Sequence, residues 1–166
     1  MIPSTLDFGL GLRARHPDQL KTFTSEAEAA GFNHIWLYDG PRFAECYVAM
    51  TYCALAAPKM VVGTTVTNTE TRDPTVTANG FATLSVLTGG RVRLGLGLGD
   101  SAVKFIGRQP TKLESFREKL LLIRSLLAGE TVPYNGRNVR LATAPNQPRH
   151  RCYSAPPRRP GNQLPR

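Results

Sequence analysis

Cysteine is scarce: Cys46, Cys53 and Cys152 are the only three in 166 residues. Their spacing fits neither a metal-ligand pattern nor a paired disulfide framework, which excludes a disulfide-stapled fold and a zinc module. A reducing cytoplasm is the expected compartment. No apolar run approaches the ~20 residues needed to span a bilayer, so no membrane partner is expected. The opening Met1-Ile2-Pro3-Ser4-Thr5 lacks the basic and apolar segments of a secretory leader. No P-loop, metal-ligating cluster or hydrolase triad is present. Acidic residues are missing from positions 137–166, which hold seven arginines. Positions 1–136 hold 14 Lys+Arg and all 12 acids of the chain. The net charge of +9 therefore resides mostly in the tail. Those arginines lack interleaved aromatic residues beyond Tyr153, so no specific nucleic-acid partner is expected.

What is present is an alternation of strand and helix patterns. Leu6–Leu12 alternates as a first strand. Pro17 suits a first helical turn, and Leu20, Phe23, Ala27 and Ala30 form an apolar stripe that Gly31 closes. His34–Asp39 reads as a second strand, followed by a helix over roughly 43–57 with Cys46 and Cys53 on one buried face. Met60–Asn68 reads as a single third strand, rich in β-branched residues. Asp73-Pro74 is an N-cap and first-turn proline, opening a helix that runs to Gly89-Gly90. A fourth strand follows. Thr111-Lys112-Leu113-Glu114 is a capping-box sequence before a stripe of Leu113, Phe116, Leu120, Ile123 and Leu127. Thr131–Arg137 reads as a turn or short hairpin. Four βα units in sequence predict an α/β fold with a parallel sheet. Each strand ends in a polar residue or turn, at Arg13, Asp39, Asn68 and Asp100, which puts a candidate site on one rim.

The fourth strand carries the most specific pattern. In Gly89–Ser101, Val92, Leu94, Leu96 and Leu98 share one face, and Gly95, Gly97 and Gly99 share the other. Glycine weakens a strand by its entropy and packs nothing, so three on one face mark a close neighbour. That neighbour is either a flat ligand or a tightly packed part of the protein. Asp100 and Ser101 follow at the end where α/β proteins place their chemistry. Elsewhere, Trp36 is expected to pack rather than touch substrate. His16 and His34 read as surface or helix-start residues. Arg42 suits a solvated role ahead of a contact to a cofactor phosphate or carboxylate. Lys104 and Arg108 carry the same ambiguity.

Ile35–Arg42, Gly63–Asn68 and Gly90–Gly97, in that order, resemble the luciferase-like flavin and deazaflavin oxidoreductases. Within them the chain is most similar to the methylenetetrahydromethanopterin reductase-like branch that uses coenzyme F420. The resemblance covers residues 5–142. It implies a (β/α)8 TIM-barrel-type fold, here reduced to about its first four βα units. It implies F420 as cofactor, with FMN as the alternative, and a small-molecule substrate. Cofactor contacts are expected from Asp39, Thr65, Val66, Asn68, Gly97, Gly99 and Ser101. Thr65-Val66 falls where the family often has a non-prolyl cis peptide behind the cofactor ring. The family's acid on strand one is replaced by Gly11, so no proton donor is assigned. Residues 143–166, rich in Pro and Arg, are expected to be disordered. Their composition reads as a frameshifted or misassembled ending. A shortened barrel would expose both sheet edges, so two copies closing into a homodimer, or a non-catalytic half-barrel without cofactor, are also expected outcomes. A methyltransferase-like reading of the glycines ranks below these, because they alternate inside a strand.

Overall fold

The computed structural model describes residues 6–13, 16–143 and, as backbone, 152–154. Strands β1 (Gly9–Leu12), β2 (His34–Leu37), β3 (Val61–Thr64) and β5 (Val92–Gly97) pair parallel in that order. Helices α1 (Pro17–Ala29), α2 (Cys46–Ala56) and α3 (Pro74–Thr88) supply the crossovers. The four βα units and their parallel sheet are those expected from the alternation of patterns.

The third strand departs from the expected single run. It breaks into β3 and a two-residue β4, Thr67–Asn68, and both pieces pair along β5. From Gly63 to Thr67 this side advances four residues while β5 advances three, from Arg93 to Leu96. One extra residue is thus accommodated as a bulge, at the strand end next to the rim. Within it the Thr65-Val66 peptide is cis, as the resemblance implied.

The helix caps follow the local chemistry. Asp73 Oδ1 accepts from the Thr75 amide at 2.8 Å, and Gly89, at φ +61°, ends α3 in the left-handed conformation. Glu45 caps α2 by accepting from the Tyr47 and Val48 amides. The capping box at Thr111 does not form. Helix α5 (Leu113–Leu127) is flanked by Lys112 with no side-chain cap, and the Thr111 amide donates instead to Leu98 O. A short α4 (Ser101–Phe105) precedes it, and β6 (Val132–Tyr134) and β7 (Arg137–Val139) form the expected hairpin around Asn135-Gly136.

The core lies between sheet and helices, built on Leu20, Ile35, Met50, Val62, Leu96 and Ile123. Three positions of the expected stripes turn outward, one of them Ala30, exposed at the end of α1. Phe23 is exposed while Thr24 is buried, its hydroxyl donating to Cys53 Sγ at 3.2 Å. Leu113 is 63% exposed, so the α5 stripe begins at Phe116. Cys46 and Cys53 are buried and unpaired, as read. Finally, β8 (Cys152–Ser154) pairs parallel to β5. These three residues depart from the disorder expected of 143–166; the rest of the tail from Ala144 lies outside the described residues.

Candidate active-site cleft

All seven residues singled out from the sequence line one cleft of about 1070 Å³ at the C-terminal ends of the strands. Asp39, Thr65, Val66 and Asn68 come from two adjacent strand ends; Gly97, Gly99 and Ser101 come from the end of β5 and the start of α4.

The platform of this cleft is built by a threonine and two glycines. Thr64 Oγ1 donates to Gly95 O at 2.8 Å and accepts from Gly95 N at 2.9 Å. One buried hydroxyl thereby satisfies both backbone groups that the bulge leaves without a ladder partner. A Cβ at residue 95 would stand 2.2 Å from Thr64 O, and one at residue 97 would stand 2.9 Å from Val66 Cγ2. At Gly99, φ is +81° and a Cβ would meet Val103 at 2.5 Å. Hence the close neighbour inferred from the glycine face is the Thr64–Val66 segment at 95 and 97, and Val103 at 99. The packing alternative accounts for the glycines. They let Val66 settle against β5 while it stays 38% exposed toward the cleft.

Polar groups around this platform are held from behind. Thr67, itself buried, donates to Asp39 Oδ2 at 2.5 Å. Asn68 Oδ1 accepts from the Glu70 and Thr71 amides, both at 2.9 Å, and from the Thr71 hydroxyl at 3.2 Å. This is the turn-forming use of asparagine; the Nδ2 end makes no hydrogen bond among the described residues. The loop that follows is clamped on two sides, by Arg72 pairing with Glu45 and by Lys119 Nζ at 2.5 Å from Glu70 Oε1. Burial is the largest single influence on Glu70 and works against its charge, but the hydrogen bond and charge of Lys119, together with the Thr111 and Thr69 hydroxyls, outweigh it and hold the carboxyl below its ordinary range.

Several lining residues were not singled out beforehand: Tyr38, Phe43, Phe105 and Pro110. Tyr38 was legible in principle, as the neighbour of Asp39 at a strand end. Phe105 reaches the cleft only because α4 is a single short turn beyond the rim. Lys104 lines the cleft and pairs with Asp100 at 2.5 Å, whereas Arg108 donates to Glu70 O and lies off the cleft lining. Trp36 packs across the sheet: a Cβ at Gly63 would meet its ring at 2.5 Å, and His34 stacks on it at 5.8 Å. Gly11, where the resemblance places an acid, would put a Cβ 3.6 Å from the Tyr38 ring. Among the described residues no group of His, Cys, Asp or Glu is arranged to hold a metal ion.

The family model for luciferase-like monooxygenases matches residues 1–158. The chain belongs to that family. It is 34% identical over 122 residues to a 5,10-methylenetetrahydromethanopterin reductase of Methanolobus tindarius, covering 71% of this chain and 37% of that protein. It is 33% identical over 144 residues to an F420-dependent glucose-6-phosphate dehydrogenase of Mycolicibacterium fortuitum, covering 77% and 43%. The solved structure of the coenzyme F420 dependent tetrahydromethanopterin reductase from Methanopyrus kandleri superposes with a TM-score of 0.70 at 27% identity, over 89% of this chain and 47% of that one. The fold is thus that of the luciferase-like TIM barrels. The chain spans about two fifths of the curated relatives' length and about half of the solved one.

Proposed function

We propose that the cleft takes a deazaflavin of the coenzyme F420 type, with FMN as the alternative. In this reading the protein is an oxidoreductase that passes hydride between that cofactor and a small organic substrate. The observation that carries this is the convergence of Asp39, Thr65, Val66, Asn68, Gly97, Gly99 and Ser101 on one cleft around the Thr65-Val66 bulge. The names of the two relatives and of the solved reductase support the choice of F420.

The donor set fits such a group. Val66 offers an apolar surface fixed from behind by Gly95 and Gly97, able to back a planar ring. Asn68 Nδ2 and the Ser101 hydroxyl are hydrogen-bond donors at the same rim. Asp39, braced by Thr67, presents a fixed carboxylate. The hydride chemistry is supplied by the cofactor when it is bound. The chain's own work would be orientation: Val66 would offer the ring an apolar surface, and Asp39 and Asn68 would offer it polar groups at the same rim. Strand one contributes no acid at Gly11, so a proton donor is left unassigned.

Pairing of two copies belongs to the same reading. Helices α2 and α3 contain no charged residue along eleven and fifteen positions. Both display large apolar side chains outward, among them Val48, Tyr52 and Leu55 on α2 and Val76, Val86 and Leu87 on α3. An uncharged apolar face meets its own copy without like-charge repulsion, which favours a homodimer.

A second reading has one observation behind it: the chain covers only about half of a solved relative. On that reading it is a non-catalytic half-barrel. Fluorescence titration with F420 and with FMN decides between the two. Saturable micromolar binding, weakened by Asn68→Ala, is the expected result. Absence of binding to either compound would leave the half-barrel reading standing.

A further inference from the structure

Two arginines at the cleft have no partner of opposite charge among the described residues. The Arg13 guanidinium lies over the Tyr38 ring, 4.6 Å from its centroid, and the Arg42 guanidinium lies over the Phe105 ring at 5.1 Å. Arg13 follows β1, Arg42 sits between β2 and α2, and Phe105 ends α4, so three elements converge here. Neither arginine donates a hydrogen bond to a described residue. Of the nearby carboxylates, Asp100 pairs with Lys104, Glu45 with Arg72 and Glu70 with Lys119, while Asp39 accepts from the Thr67 hydroxyl and forms an ion pair with neither arginine. Other arginines of the fold spend their donors on the protein: Arg91 on Met60 O, Arg93 on Gly90 O and Val92 O, Arg108 on Glu70 O.

A guanidinium held against an aromatic face loses little of its hydrogen-bonding capacity. The ring meets the cation's flat side, while its five N–H donors lie in the plane and match two oxygens of a carboxylate or phosphate. Stacking also removes rotamer freedom before any ligand arrives, which lowers the ordering cost of binding.

We infer that Arg13 and Arg42 form an oxyanion subsite of the cleft, taking a phosphate or carboxylate group of the bound ligand. The subsite rests on the cleft being a ligand site and not on the cofactor's identity. The anion has two sources, the cofactor's own phosphate-bearing tail or an anionic substrate.

The test uses the full chain and calorimetric titration with inorganic pyrophosphate at low ionic strength. The double variant Arg13→Gln/Arg42→Gln is expected to bind at least about tenfold more weakly, the scale of losing charge-assisted hydrogen bonds. Arg117→Gln, an exposed α5 arginine off the cleft, should bind as the parent does. A parent that fails to bind pyrophosphate overturns the subsite. So does a double variant that matches the parent, or an equal loss in the Arg117 control. The same proteins are then titrated with F420 and with its deazaflavin ring lacking the phosphate. If the double variant loses only the advantage of F420 over the phosphate-free ring, the anion is the cofactor's. If F420 binding is unchanged and pyrophosphate still binds beside it, the anion belongs to the substrate. Arginine-dependent pyrophosphate binding without any deazaflavin binding would retain the subsite and sink the F420 reading.

Discussion

Thr64 is the residue on which the cleft's geometry depends most directly. Its hydroxyl serves both the amide and the carbonyl of Gly95 in a buried setting. Thr64→Val keeps the shape and removes both bonds, leaving two buried backbone groups unpaired. The expected loss is ~2–6 kcal/mol, at about 1–3 kcal/mol for each unsatisfied group. Urea denaturation measures it, and a loss under ~0.5 kcal/mol would show that the bulge is held by other means. Gly95→Ala should be at least as damaging, because its Cβ would collide with a backbone oxygen that no rotamer change can move. Glu70 makes a pH-dependent contribution. Its carboxyl is held below its ordinary value of 4.5, so it stabilises the fold above that pH and ceases to do so as pH falls through the folded-state value. Glu70→Gln should therefore destabilise the protein near neutrality, and the difference from the parent should vanish in strong acid. A difference that stays constant with pH contradicts the Lys119 pairing as its source.

At the scale of elements, the β4–α3 loop is organised by contacts its own sequence does not contain. Glu45 at the head of α2 and Lys119 in α5 grip it from either side. Tyr134 of the hairpin reaches the same cap, its hydroxyl donating to Asp73 Oδ2 at 2.8 Å. Both described thiols are buried, Cys53 against Thr24 across the α1–α2 seam and Cys46 at the head of α2. Burial pushes the Cys46 and Cys53 thiols up, so little thiolate forms at pH 8. Iodoacetamide labelling followed by mass spectrometry should leave both unmodified in the native protein and modify both in urea; native labelling of either would mean that α2 opens readily from the core. The tail is a further element-scale question. Its described part is the three-residue β8 on the edge of β5. Deleting residues 144–166 should cost ~1–4 kcal/mol, a few ladder hydrogen bonds at about 0.5–1.5 kcal/mol each, while a single cooperative unfolding transition is retained. Loss of that transition would make the tail part of the folding core.

For the whole molecule, the helices divide into two kinds. Outer faces of α1 and α5 carry charge; α2 and α3 carry none. Leu55, 67% exposed on α2, is the place to test what covers that face. Leu55→Glu should shift a sedimenting dimer toward monomer while leaving the fold intact, because most of the side chain is already exposed to solvent. A parent that sediments as a monomer, or a variant dimer as tight as the parent, removes α2–α3 as the pairing surface.

The order of elements was legible because it depends on local chemistry. Period-two and period-3.6 patterns, the Asp73-Pro74 start, the Gly89 stop and the Asn135-Gly136 turn each act within a few residues. The rim was legible for the same reason, since parallel strands bring their C-terminal ends together. What sequence did not determine depends on pairs far apart in the chain. The third strand broke at Thr65 because Thr64 meets Gly95, a match no local pattern records. The glycine face marked a close neighbour, but a missing side chain cannot say what approaches it; tertiary packing brought the Thr64–Val66 segment to Gly95 and Gly97 and Val103 to Gly99. Phe23 and Leu113 obey helical periodicity yet face outward, because the breadth of the buried stripe is decided by the surface a helix packs on. For Arg42 the sequence left a solvated role and an anion contact both open, and for Arg13 it marked only a place on the rim; the aromatic rings of Tyr38 and Phe105 beneath them came from folding.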